Sequence, residues 1–137
     1  MKRNFLIAAA LALFGITAAS AQTVDVKASV PFSFTVNRAT LPAGEYSLKS
    51  MDEQGTALAI RNLNSRTPNL VLSNSCRSAK SASQTKLLFH RYGNNYFLSQ
   101  IWIEGSHAGR ELPPSAQEKE EAKDFSMQQV VLVAAKR

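Results

Sequence analysis

The sequence predicts a small all-β domain, a β-sandwich or β-barrel of about eight strands with one late surface α-helix. Three observations lead there. From Val24 onward, apolar and polar residues alternate in runs of a strand's length, with turn residues between them. The run from Thr85 to Glu104 carries large apolar side chains at both alternating sets of positions, as strands covered on both faces do. One segment, following Pro113-Pro114, has the capping signature of a helix.

The elements follow in order. Val24 to Val30 alternates, Pro31 interrupts at a bulge, an edge or a strand start, and Phe32 to Val36 resumes with larger side chains. Asn37 to Thr40 reads as a turn, and Leu41-Pro42-Ala43-Gly44 as another that leads into the strand Glu45 to Met51. Asp52-Glu53-Gln54-Gly55 is a hairpin turn before the strand Thr56 to Leu63. After a turn at Asn64 to Pro68, Asn69 to Ser73 is short and apolar. Asn74 to Ser83, rich in Ser, Lys and Arg and without periodicity, reads as a long polar loop.

Thr85 to Tyr92 and Tyr96 to Glu104 form the strongest hairpin. With Asn94-Asn95 as its tip, Tyr92 pairs with Phe97, His90 with Ser99 and Leu88 with Ile101. A loop one residue longer or shorter would shift every pair. Ser115 and Glu118 are spaced as a capping box for a helix over about 115–125, with Phe125 as its expected anchor. A strand over about 128–135 closes the chain, apolar on both faces, so it must be paired or covered.

Met1 to Ala21 has the three parts of a cleavable signal peptide. Lys2 and Arg3 precede an apolar run from Phe5 to Ile16, and Ala19-Ser20-Ala21 offers the small residues that a signal peptidase accommodates. Cleavage between Ala21 and Gln22 leaves residues 22–137 as one β-rich domain, with no transmembrane segment after cleavage. A periplasmic or extracellular location follows. That compartment permits disulfides, yet Cys76 is the one cysteine, so an internal disulfide is impossible and Cys76 is a free thiol. Its neighbour Arg77 could favour the thiolate; the plainer reading is a partly buried small residue in a loop. The net charge of +6 includes Lys2 and Arg3, and the rest is scattered rather than run together. Scattered charge on an exported chain argues against nucleic acid as a partner and leaves an envelope polymer or another exported protein.

Two groups of residues carry resemblances. Pro31-Phe32-Ser33-Phe34-Thr35-Val36 with Leu41 to Tyr46, together with Leu88 to Gly93, Tyr96 to Trp102 and Gly109 to Pro113, resemble a family of small exported bacterial β-rich proteins with no assigned function. The resemblance covers most of the chain after the leader. It implies export and a shared β fold, and brings no catalytic residues. Leu41-Pro42-Ala43-Gly44-Glu45-Tyr46 is also similar to a turn-and-strand of secreted sandwich modules of the prealbumin-like and fibronectin-like kinds. That similarity implies a Tyr46 ring packed inward, with its hydroxyl bonded back to the turn as in a tyrosine corner.

Candidate chemistry concentrates on the central hairpin. Arg91, Tyr92, Tyr96, Gln100 and Trp102 could form a platform on which a sugar ring or other flat ligand stacks; the alternative is that the aromatics belong to the core. His90 opposite Ser99 invites a nucleophile-and-base reading, but Ser99 stands in regular strand without a nucleophile elbow, so a cross-strand hydrogen bond is the better expectation. His90 and His107 are the only histidines, and none of the close ligand spacings of a zinc site occurs, so neither metal nor cofactor is predicted. The residues therefore predict an exported, non-catalytic protein with a binding or cell-envelope role. The alternatives are a small-ligand carrier with a barrel cavity and, more distantly, a hydrolase using His90.

Overall fold

The computed structural model describes residues 23–136. The expected signal peptide and its Ala21–Gln22 junction lie outside the described residues. Among these residues the chain forms twelve strands and one helix: β1 (Asp25–Val30), β2 (Phe34–Val36), β3 (Ala39–Leu41), β4 (Gly44–Ser50), β5 (Ala57–Asn62), β6 (Asn69–Leu72), β7 (Asn74–Arg77), β8 (Lys86–Tyr92), β9 (Asn95–Trp102), β10 (Ala108–Glu111), α1 (Ala116–Asp124), β11 (Met127–Val133) and β12 (Ala135–Lys136). One sheet runs β12-β1-β4-β5-β6, and the other runs β11-β8-β9-β10-β7, with β2 and β3 joined to β9. This is a sandwich, and the barrel alternative is corrected: the two sheets do not close into one.

The alternating strands fold as their pattern requires. β1, β4 and β5 each turn every second residue inward, so Val26, Val30, Tyr46, Leu48, Leu58 and Ile60 are almost wholly buried. The facing sheet supplies Phe34, Leu87, Phe89, Leu98 and Ile101 to the same continuous core. Tyr46 donates its hydroxyl to the Pro42 carbonyl, which is the tyrosine corner that the Leu-Pro-x-Gly-x-Tyr similarity implies. At Asp52–Gly55 the expected turn closes with Gly55 N–H on the Asp52 carbonyl at 3.2 Å, and the Asp52 carboxylate accepts from Ala57 N–H at 3.2 Å.

Four of the strands were not anticipated: β3, β7, β10 and β12. Asn37 takes a left-handed φ of 57°, so the turn occupies Asn37-Arg38 alone and frees Ala39–Leu41 to pair back on β2. The polar stretch after Ser73 is not a continuous loop, because Asn74–Arg77 pairs with β10. It lacks an apolar period because it is an edge strand with little burial on either face. At both ends of the sandwich the chain changes sheets with almost no spacer. Ser73 separates β6 from β7, and Ala134 separates β11 from β12.

The Ser73 corner is held by a buried arginine. Arg110 of β10 donates from Nε to Ser73 Oγ at 2.9 Å and from Nη2 to the Ser73 carbonyl at 2.7 Å. Its Nη1 reaches the Gln54 carbonyl at 3.3 Å. A charge this enclosed is tolerable because its donors are matched to acceptors.

The central hairpin departs from the expected register. Its tip is Gly93-Asn94, and Tyr92 pairs with Asn95, Arg91 with Tyr96, His90 with Phe97 and Phe89 with Leu98. Gly93, at φ 59°, stands at the first central position of a two-residue turn, where left-handed backbone is required. Beyond Leu98 the register slips, because Leu88 pairs with Gln100 and Ser99 is left over as a β-bulge. The expected His90–Ser99 pair is therefore corrected, as are Tyr92–Phe97 and Leu88–Ile101.

Trp102 lies across its cross-strand partner Gly109. A Cβ built on Gly109 would stand 2.7 Å from Trp102 Cε3 and 2.8 Å from the Ile101 carbonyl oxygen. The substitution Gly109→Ala should lower stability by about 1–3 kcal/mol, as overpacking does. Urea unfolding followed by the fluorescence of Trp102, the chain's one tryptophan, measures it. An unchanged midpoint would contradict this packing.

Candidate functional site

The helix is docked on the outer face of the β8–β9 hairpin, and a carboxylate docks it. Ser115 caps α1, its hydroxyl accepting from Glu118 N–H at 3.1 Å. The second half of the expected capping box is absent. Instead of returning to Ser115, the Glu118 carboxylate turns down onto the sheet, where Oε2 accepts from the Tyr92 hydroxyl at 3.0 Å and meets His90 Nδ1 at 2.9 Å. Tyr92 and His90 reach it together because alternate residues of a strand share a face. Glu118 is 6 % exposed and is the buried residue of α1, whereas Phe125, the expected anchor, is 49 % exposed. Phe125 covers the hairpin tip, its ring lying beside Gly93. Asn95 adds a bond from Nδ2 to Glu121 Oε1 at 2.8 Å.

The electrostatics follow from this enclosure. Burial first, and then the hydrogen bond and negative charge of Glu118, push the Tyr92 phenol up to about 12. The fold thus favours the neutral phenol. The stabilisation it provides is present below the ordinary tyrosine value of about 10 and is lost as pH climbs from there toward the raised value.

The expected platform is not a single surface. Tyr92 is committed beneath the helix. Tyr96 points to the opposite face, stacked on Phe32 at 3.8 Å between ring centroids, with the Arg91 guanidinium 5.4 Å from its ring. Arg91 also donates from Nε to the Gly93 carbonyl at 2.8 Å. Gln100 and Trp102 lie on the outer face beyond the bulge, bonded to each other from Trp102 Nε1 to Gln100 Oε1 at 2.9 Å. Gln100 also donates to Glu111 Oε2 at 3.3 Å. The five residues fall into three places because strand alternation and the slip at Ser99 separate them.

Ser99 is 5 % exposed, and its carbonyl accepts from Leu112 N–H at 2.8 Å. His107 sits in a loop with Nδ1 3.3 Å from the Ser78 carbonyl. Among the described residues no group of three or more His, Cys, Asp or Glu is placed to hold a metal ion, and no helix is long and apolar enough to cross a membrane. Cys76 stands in β7 opposite Gly109, half-buried. Burial, and secondarily Glu111, push its thiol up, against smaller opposing effects of Arg110 and the Gly109 backbone. The expected influence of Arg77 is thus replaced by that of the facing strand, and the thiol is suppressed rather than activated.

A cleft opens beside the Glu118 cluster, where β6 passes the start of α1. It has a volume of about 270 Å³ and is bordered by Leu70, Leu72, Phe97, Leu112, Thr35 and Glu118. Leu70 and Leu72 are 61 % and 70 % exposed on its rim. Sequence reasoning missed this cleft, since its walls come from segments far apart in the chain. The exposed leucines of a short edge strand were the available signal. No family model, curated protein or solved structure matches this chain.

Two measurements check the site. Alkaline titration of tyrosine absorbance should contain a one-phenol contribution near pH 12 that is missing in Tyr92→Phe and so appears in the difference curve between the two. Titration of Tyr92 in the ordinary tyrosine range would refute the Tyr92–Glu118 bond. At neutral pH, Cys76 should react with a disulfide reagent more slowly than a free cysteine, and equal rates would contradict its burial in β7.

Proposed function

We propose that the protein is an exported, non-catalytic binding protein with a role at the cell envelope, meeting an envelope polymer or another exported protein. One observation carries this reading: the polar side chains best suited to chemistry are spent on structure. His90 and Tyr92 both address Glu118, which holds the helix in place. Arg110 is consumed at the Ser73 corner, and Gln100 is shared between Trp102 and Glu111. A histidine bonded to a structural carboxylate, with its expected serine displaced onto a bulge, lacks the nucleophile that the hydrolase alternative needs. The carrier alternative needs a hollow closed barrel, and the space between the sheets is filled by side chains.

The surface left for binding is the cleft between β6 and α1, whose exposed leucines give an apolar rim around a partly polar floor. Export rests on the leader-like residues 1–21 and on the resemblance to exported bacterial proteins. The test is retention on envelope fractions from intact cells, comparing the protein with Leu70→Glu and Leu72→Glu combined. Both side chains are largely exposed, so the variant should keep its melting temperature. Retention of the wild type and its loss in the variant are expected. A wild type that is not retained overturns the binding role, and an equally retained variant moves it away from the cleft.

A further inference from the structure

β11 ends its sheet: β8 lies on one side, and among the described residues no strand lies on the other. Its free edge can be assigned residue by residue. Ala134 N–H donates to the Thr85 carbonyl at 2.9 Å, which makes that cross-strand pair a hydrogen-bonded one. Alternation then makes Leu132–Leu87, Val130–Phe89 and Gln128–Arg91 hydrogen-bonded pairs as well. Met127, Gln129, Val131 and Val133 are left with N–H and C=O groups directed away from β8. Their side chains are all exposed, with Met127 at 47 %, Val131 at 50 % and Val133 at 58 %, and of the alternate set Gln128 is exposed too while Val130 and Leu132 are half-buried.

We propose that this edge pairs with the β11 edge of a second copy of the chain, in antiparallel register about a two-fold axis at Val130. An unpaired ladder calls for a strand, and the chemistry of this one suits its own copy. Met127 to Val133 contains neither a charge nor a proline, the devices by which edge strands repel one another. About that axis every outward backbone group finds its complement. Met127 meets Val133 of the second copy, and Gln129 meets its Val131. Each apolar side chain is then covered by an uncharged one, and no unlike partner is selected by charge. The other sheet edges are poorer candidates: β6 and β7 have four residues each, with Arg77 at the end of β7, β3 has three and β12 has two. The pairing leaves the β6–α1 cleft free, so it stands independently of the proposed binding role.

Sedimentation equilibrium on the purified protein tests the pairing, with hydrogen exchange as a second readout. The expected result is a concentration-dependent doubling of mass. In parallel, the amides of Gln129, Val131 and Val133 should gain protection as concentration rises, while those of Gln128, Val130 and Leu132 are protected throughout. Val131→Pro removes an outward N–H that β8 does not use, and it should leave the protein folded and monomeric. Should that variant fail to fold, Gln129→Lys with Val131→Lys sets like charges opposite one another across the axis and should also abolish the doubling. A wild type that stays monomeric at every concentration overturns the proposal. So does a dimer that survives these substitutions, or a mass doubling without new protection of the odd-numbered amides.

Discussion

Ser99, the one residue of β9 left over in its pairing with β8, decides what the central sheet can do. In an unbroken strand Leu98, Gln100 and Trp102 would share a face, and Ile101 would point away from the core. The bulge reverses that parity. Leu98 and Ile101 both enter the space between the sheets, while Gln100 and Trp102 turn outward. It also divides one edge of β9 between two partners, with β2 meeting it at Phe97 and β10 from Gln100 to Trp102. The Ser99 carbonyl, released from the ladder, takes Leu112 N–H and so fixes the chain just before the helix begins. Trp102 can then lie over Gly109, and Arg110 can reach the Ser73 corner. The bulge therefore sets the far end of the sandwich as well as the centre.

The helix depends on a different economy. Its exposed faces are strongly polar and its apolar stripe is thin, so packing alone would hold it weakly. What it has instead is Glu118, whose burial would be costly without partners. His90 and Tyr92 supply them, and together they convert a desolvation cost into a positional requirement: the helix is satisfied in one place on the sheet. Glu121 to Asn95 and Phe125 beside Gly93 extend the same placement to the hairpin tip. The Tyr92 proton is thereby part of the docking, which is why its loss and the loosening of the helix should coincide at high pH.

Much of this was legible from residue order, and the limits are physical. Alternation located the strands with one face in the core, continuous apolar runs located the central hairpin, Asn69–Ser73 and the closing strand, and Ser115 located the helix start because an N-cap is a local bond. Tyr46 was legible for the same reason: its acceptor, Pro42, is four residues away. The four additional strands escaped because they are short or, like β7, exposed on both faces, which erases the period. The register of the hairpin escaped because Gly93-Asn94 and Asn94-Asn95 are both plausible tips, and a bulge has no sequence period of its own. In the sequence Glu118 stands at the spacing of a capping residue. Its actual partners lie 26 and 28 residues away, and only the docked fold brings them within reach.

The same constraints explain why chemistry expected of the hairpin did not assemble. A platform of Arg91, Tyr92, Tyr96, Gln100 and Trp102 would require neighbours in sequence to share a face, and strand alternation forbids that for Arg91 and Tyr92. Pairing can bring residues of adjacent strands together, but the slip at Ser99 places the Gln100–Trp102 end out of step with the Tyr96 end. Each polar group then satisfies itself with whatever lies nearest, whether a helix carboxylate, a corner carbonyl or a neighbouring amide. Side chains so occupied tie the helix, the corner and the hairpin to one another. The binding role and the self-pairing proposed for this chain therefore rest on the surfaces the frame leaves incomplete: the leucine-rimmed cleft, where two sheets and a helix do not quite meet, and the open β11 edge, where a sheet simply stops.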